Sequence, residues 1–342
     1  MARTWTPNEE QWLVENATVY TPLRLVTRFN EHFPDPSSRT WDSIRKKIKR
    51  LAASADEAVA AFGAVIDKDE WVAWSKARYP YSAKKANRVS KRNAKFETHL
   101  IWPDTHVPHE NKAAVNAVLR LMDDVVFDGV TIIGDFIDMD SLSHWNENKR
   151  LTVEGKRLKQ DYVHANALLD EICKRLPKDA DMRWLDGNHE DWYFQYIEKH
   201  PELEGLLCHH DELRLKERGF NEIRRYTKDQ FTHLGKLTIC HGMYTGIYHA
   251  KAHADKLRVN VMYGHLHDLQ TYSSSSPARK LAFMSYCIGC LADTAPTYMK
   301  GKPNNWSHGF GIVHLFPNGD FDAQVIRIVK GRFVYNGKVY QG

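Results

Sequence analysis

The chain has 342 residues, 42% hydrophobic and 27% charged, and its 48 Lys and Arg against 43 Asp and Glu leave a net charge of +5. That length predicts about two domains and a sizeable core. It carries no apolar run of the ~18 residues that would signal a transmembrane helix, no apolar secretory segment at the N-terminus, and only five cysteines, an odd number that makes no disulfide framework. The expectation is a cytoplasmic protein. The unusual count is histidine, at eighteen, which favours a metal or acid–base site over a purely structural role.

In chain order, residues 1–52 predict a small three-helix domain. Thr6-Pro7-Asn8-Glu9 forms a capping box at the start of the first helix, and Thr21-Pro22 opens the second, with Leu23, Val26 and Phe29 on one face. The third helix runs from about Arg39 to Leu51, with Trp41, Ile44, Ile48 and Leu51 at helical spacing and Arg45, Lys46, Lys47, Lys49 and Arg50 on its other faces. A small core with a basic third helix is the layout of a helix-turn-helix module. Residues 53–95 predict an alanine-rich and then basic connector in which Lys84, Lys85, Arg88, Lys91, Arg92 and Lys95 fall within twelve positions with no acid among them; a solvated linker and a phosphate-contacting segment both fit it.

From residue 96 to 342 the pattern alternates β and α. Strands are predicted at Phe96–Trp102, Val130–Ile133, Met182–Leu185, Leu237–Cys240 and Val259–Tyr263, with helices near Asn111–Met122 and Lys156–Leu176. Four further strands follow, Lys280–Cys290, Phe310–Phe316, Phe321–Val329 and Arg332–Tyr340, with turns at Pro317–Asp320 and Asn336-Gly337. Alternation followed by a run of strands predicts an α/β layered domain.

Each of the five α/β strands ends in residues able to bind metal: Asp104-Thr105-His106, Gly134-Asp135-Phe136-Ile137-Asp138, Gly187-Asn188-His189-Glu190, His241-Gly242 and Gly264-His265-Leu266-His267. Ligands of open α/β sheets bind beyond the carboxyl ends of the strands, so these groups converge on one edge. Carboxylate and amide oxygen with imidazole nitrogen suits Mn²⁺, Fe or Zn²⁺, and the ligand count suits two ions sharing a carboxylate.

These five motifs, in this order, resemble the calcineurin-like metallophosphoesterase superfamily. The resemblance spans roughly Phe96 to Asp268 and implies a four-layer β-sandwich flanked by helices. It implies that Asp104, His106 and His267 hold one metal, that Asn188, His241 and His265 hold the other, and that Asp135 bridges them. It also implies two divalent ions, Mn²⁺ first with Fe or Zn²⁺ as alternatives, a bridging hydroxide as nucleophile, and His189 as general acid oriented by Asp138. Met139-Asp140 stands where phosphoprotein phosphatases of this superfamily carry Arg-Gly, which argues against a phosphoprotein substrate. The N-terminal domain resembles the Myb-like or helix-turn-helix modules of phage and mobile-element proteins, although Trp5, Trp12 and Trp41 lack Myb spacing; a module for protein contact is the alternative.

The expectation is therefore a phosphodiesterase or nuclease acting on DNA in a bacterial or phage-infected cell, tethered through its basic head and connector. Hydrolysis of a nucleotide or other small phosphoester is the alternative, and a non-enzymatic DNA-binding regulator a second. Among weaker signals, Cys287-Ile288-Gly289-Cys290 is expected to be structural, and His249 and His253 to be surface histidines. His209-His210 stays open. His144, Trp145, Asn148, Lys149 and Arg150 occupy a loop that suits either substrate contact or plain solvation.

Overall fold

The computed structural model describes residues 5–16, 22–34, 43–44, 46–47, 95–149, 153–205, 208–227, 230–276, 281–296, 299, 301 and 303–342. The chain divides into two compact units, Met1–Pro80 and Tyr81–Gly342.

The first unit contains α1 (Pro7–Asn16), α2 (Pro22–His32) and helical residues at 43–44 and 46–47. The capping box forms as its residues dictate. Glu9 Oε2 accepts from the Thr6 backbone N–H at 2.9 Å, and Thr6 Oγ1 accepts from the Glu9 N–H at 3.3 Å. Leu13, Leu25, Phe29 and Ile44 are fully buried, and Trp5 and Trp12 both set their rings edge-on to Phe29. Lys47 pairs with Glu10 and sits over the Trp5 ring, so it fastens the third helical stretch to α1; Lys46 is exposed. Arg45, Lys49, Arg50, Lys84, Lys85, Arg88, Lys91 and Arg92 lie outside the described residues, as do Trp41 and Arg150.

The second unit runs β1 (Glu97–Trp102), α3 (Lys112–Asp124), β2 (Gly129–Ile132), α4 (Leu158–Cys173), β3 (Asp181–Leu185), α5 (Asn188–Lys199), α6 (His209–Glu212), α7 (Leu215–Arg218), β4 (Glu222–Arg224), β5 (Thr232–Leu234) and β6 (Leu237–Ile239). It continues through α8 (His249–Leu257), β7 (Asn260–Tyr263), β8 (Leu269–Ser276), β9 (Leu281–Ile288), β10 (Gly309–Leu315), β11 (Phe321–Arg327), β12 (Arg332–Tyr335) and β13 (Lys338–Gln341). One sheet has the order β11-β10-β1-β2-β3-β4, with β1 to β4 parallel; the other has the order β5-β6-β7-β9-β8, with β6, β7 and β9 parallel.

The two sheets pack face to face. Ile101 and Val313 from the first share one buried core with Ile239, Met262 and Ile288 from the second. Side chains alternate along a strand, so Val261, Tyr263 and Cys287 point the opposite way, against Leu257 of α8. On the far side of the first sheet, Trp184 of β3 meets Phe220 and His209, and the latter bonds Tyr162 of α4. The architecture is an α/β sandwich flanked by helices. Parallel β1, β2 and β3 bring their following loops out at one edge, and the loops after β6 and β7 join them. There the Gly264 N–H donates to His241 O at 2.8 Å, and the His265 N–H donates to Asp104 Oδ2 at 2.9 Å.

The nine predicted strand segments all appear, the last as the β12–β13 hairpin. Not anticipated were β4, β5 and β8. The last reads Leu-Gln-Thr-Tyr-Ser-Ser-Ser-Ser, a serine-rich edge strand with no apolar pattern, which forms because β9 supplies its ladder. His249 and His253 are buried, not at the surface. His249 Nδ1 lies 2.6 Å from the Tyr263 hydroxyl and Nε2 3.0 Å from Asp268, while the His253 ring stacks on Tyr263 at 3.8 Å. They pin α8 to the loop after β7. Cys287 and Cys290 are buried free thiols, and burial pushes both up. Among the described residues, no helix is long and apolar enough to cross a membrane.

Ile101→Ala opens a void between the sheets and is expected to cost about 2–5 kcal/mol in urea unfolding, against under ~0.5 kcal/mol for the half-exposed Val329→Ala. Equal losses would show that this face-to-face contact is not the main core.

Candidate metal centre

Buried hydrogen bonds between loops build the site. Glu190, fully buried in the first turn of α5, accepts four backbone N–H groups. Its Oε2 takes those of Asp135 at 2.9 Å and Gly187 at 2.7 Å, and its Oε1 takes those of Phe136 at 2.8 Å and Ile137 at 3.1 Å. One carboxylate therefore folds the loop after β2 onto the loop after β3. Burial and the Asp135 and Asp186 charges push its own carboxyl up to about 8, against the pull of these donors. Gly187 is required at this junction, because a Cβ there would sit 2.1 Å from Asp135 Oδ1; Gly264 plays the same part, with 2.1 Å to Asp104 Oδ1. Four of the predicted ligands, His106 (φ 51), Asp135 (φ 48), His265 (φ 69) and His267 (φ 61), have left-handed backbone, a strain of about 1–3 kcal/mol each that the surrounding bonds hold in place.

The seven predicted ligands come together at this edge in two sets that share Asp135. Asp104, His106, Asp135 and His267 form one set, and Asp135, His241 and His265 the other. His267 Nε2 is 3.1 Å from both Asp104 Oδ2 and His106 Nε2, and Asp135 Oδ2 lies 3.7 Å from His106 Nε2 and 3.3 Å from His241 Nε2. Asn188 Oδ1 joins the second set, 3.1 Å from His241 Nε2.

These atoms fit divalent metal. His106 Nδ1–H donates to Asp138 Oδ1 at 2.8 Å, and His241 Nδ1–H donates to Ile133 O at 2.9 Å, so each ring presents the Nε2 lone pair inward. Lone pairs of imidazole, amide and carboxylate then face one another about 3 Å apart, the separation of ligands on one cation. The field also demands positive charge. Burial pulls the His241 imidazole down, but Asp135 and Asp104 outweigh it and carry it up to about 10. Burial likewise pushes Asp135 up, and the imidazoles of His241, His189 and His106 hold it well below the usual range.

His189 stands beside the first set, its ring 4.4 Å from that of His106. Its Nδ1–H donates to the backbone carbonyl of Asp138 at 2.7 Å, whereas the Asp138 carboxylate lies at 3.4 Å and is committed to His106. Asp138 thus holds His189 through its main-chain carbonyl. Burial opposes charge on His189, but Asp135 and Asp138 prevail and raise it. Two partners were not anticipated from sequence. Trp192, one turn along α5, lies against the His189 ring at 3.8 Å with the planes tilted by 36°, and His144 meets that indole edge-on at 5.8 Å. Asp161 of α4 is pushed up to about 7 by burial and by the charges of Asp138 and Asp140.

The class defined by these features is an α/β sandwich whose strand ends converge in a buried Asp/His cluster suited to divalent metal. No family model matches the chain. It is similar to the Gene 54 protein of Mycobacterium phage D29, 24% identical over 254 residues that cover 71% of this chain and 98% of that protein. The Gene 54 protein of Mycobacterium phage L5 is 22% identical over 255 residues, with the same coverage. Among solved structures, Vacuolar Protein Sorting 29 of Cryptosporidium parvum matches with a TM-score of 0.36 and 12% identity over 73% of this chain and 97% of that one. Vps29 of Chaetomium thermophilum matches with a TM-score of 0.35 and 12% identity over 72% and 95%.

Glu190→Ala strands four buried N–H groups and is expected to cost about 3–5 kcal/mol and to lower the bound-metal content, read by denaturation and elemental analysis; an unchanged protein would show that the clamp is dispensable. Asp161 keeps its proton in the folded state up to about pH 7, against roughly 3.9 unfolded, so stability falls as pH rises through that window. Asp161→Asn should match the parent's melting temperature at pH 4 and exceed it at pH 8, and parallel curves would contradict the assignment.

Proposed function

We propose that this protein is a two-metal phosphoesterase that cleaves phosphodiesters of DNA. The observation that carries the phosphoester chemistry is the Asp135 carboxylate shared by two histidine-containing sets, with His189 alongside. Asp104, His106, His267 and Asp135 would hold one ion, and Asp135, Asn188, His241 and His265 the other. Such a pair of ions supplies positive charge opposite the phosphoryl oxygens and makes water acidic enough to attack at neutral pH.

The chain's own residues do the rest. His189, with Nδ1 tied to the Asp138 carbonyl, presents Nε2 as the nitrogen that gives a proton to the departing oxygen, and the neighbouring carboxylates of Asp135 and Asp138 favour its charged form. Trp192 packs against that ring. The DNA reading is supported by Trp145, 69% exposed, which follows His144 in a run of rings His189–Trp192–His144–Trp145 leading outward from the site. An exposed indole beside a phosphoesterase centre suits a stacked base. The cationic stretch Lys84–Lys95 adds sequence-independent attraction to phosphates.

A second reading, a small nucleotide or similar phosphoester, is favoured by one feature. A cavity of about 410 Å³ lined by Tyr226, Gln230, His241 and Met243 opens beside the second ligand set.

His189→Asn is expected to cut turnover of bis-p-nitrophenyl phosphate by ~10²–10⁴-fold with bound Mn²⁺ retained, whereas Asp135→Asn loses the metal. An active His189→Asn enzyme would remove the general-acid role. Trp145→Ala should raise KM for single-stranded DNA several-fold and leave the small diester unaffected. A Mn²⁺-loaded protein inert towards single-stranded, duplex and nicked DNA but active on p-nitrophenyl phosphate would shift the assignment to the small ester.

A further inference from the structure

A second constellation of ligand atoms lies outside the cluster around Asp135. Asp186, the last residue before Gly187, is fully buried, and its Oδ1 accepts the Trp184 indole N–H at 2.7 Å. His210 Nε2 lies 2.9 Å from Asp186 Oδ2 and 3.0 Å from Oδ1. His209 Nε2 lies 3.8 Å from the same carboxylate and has no hydrogen-bond partner, although the residue is fully buried. A buried imidazole nitrogen without a partner is costly, and this one is aimed at a carboxylate that another histidine already faces.

We infer that Asp186, His209 and His210 form a separate site for a divalent cation of zinc type. Three features carry it. Ligands on tetrahedral zinc, with bonds of about 2.0–2.1 Å, stand ~3.3 Å apart; the separations here, 2.9 and 3.8 Å, bracket that value as do those around Asp135. The outer partners are of the kind that orient metal ligands: Tyr162 Oη lies 3.1 Å from His209 Nδ1, and the Trp184 N–H holds Asp186. With Nδ1–H donated to Tyr162, the His209 Nε2 lone pair faces Asp186 and His210. Finally, the His210 side chain is partly exposed, which gives the ion a way in and leaves a fourth position for water.

An ion there would fasten α6 to the residue that precedes Gly187-Asn188-His189. It would thus act as a brace behind the catalytic loop and would not participate in its chemistry. The inference does not depend on the proposed phosphoesterase activity.

The test uses Zn²⁺ alone, added to metal-stripped full-length protein and counted by elemental analysis after gel filtration. His210→Ala, at the partly exposed ligand, should retain one equivalent fewer than the parent while the stripped proteins melt alike. Equal zinc content in two folded proteins overturns the inference. Should the variant fail to fold, anomalous diffraction from zinc-soaked crystals of the unaltered protein decides. A peak bonded to Asp186, His209 and His210 supports the site, and its absence while the Asp135 sets are filled refutes it. Zinc at this site with none around Asp135 would keep the inference and refute the phosphoesterase reading.

Discussion

The geometry of the metal centre depends on one buried carboxylate. Glu190 satisfies four backbone N–H groups that would otherwise be stranded where the loops after β2 and β3 meet. These bonds act on main chain, so they set the course of the loops themselves. Asp135 is held at a left-handed φ of 48° because its N–H is captured on one side while its Oδ1 accepts from the His189 N–H at 2.9 Å on the other. The same contacts leave no room for a side chain at Gly187. Ligand, backbone strain and glycine follow from a single requirement, that two loops approach within bonding distance.

That approach also explains how one aspartate serves two histidines with different tasks. Asp138 gives its carboxylate to His106 and its main-chain carbonyl to His189. A carboxylate makes the first imidazole a better donor to metal. A neutral main-chain carbonyl fixes the orientation of the second. The ring of Trp192 then packs against it at a tilt of 36°. The two imidazoles stand 4.4 Å apart, ring to ring, and differ in which oxygen of Asp138 each one meets.

Much of this was legible in the sequence because strand ends carry both the apolar run and the ligand. Asp104, His106, Asp135, Asn188, His241, His265 and His267 each follow a short buried strand, and parallel order makes their loops emerge together. What escaped acts through groups that a pattern does not reveal. Three of the four backbone N–H groups that Glu190 accepts belong to residues more than fifty positions away. Trp192 looks like any aromatic on a helix face. His249 and His253 have the spacing of a surface pair on a polar helix, and only the Tyr263 hydroxyl and ring behind them explain their burial. Strand β8 lacks an apolar pattern because it lies at an edge. The basic residues of the head and connector show charge without showing what they face, apart from Lys47, which turns inward to Glu10 and Trp5.

The two ligand sets draw on different sheets, and this couples the site to the fold. Asp104, His106, Asp135 and Asn188 follow strands of the six-stranded sheet, whereas His241, His265 and His267 follow strands of the other. Asp104 reaches across to accept the His265 N–H, and Asp135 reaches His241. Before the sandwich closes, each sheet holds an incomplete set of these side chains. Any ion bound there stabilises the closed sandwich by mass action. The apolar contact of Ile101 and Met262 and the polar contact of Asp135 and His241 are therefore two ends of the same interface. The first brings the sheets together through burial, and the second sets their register at the edge where the chemistry would occur.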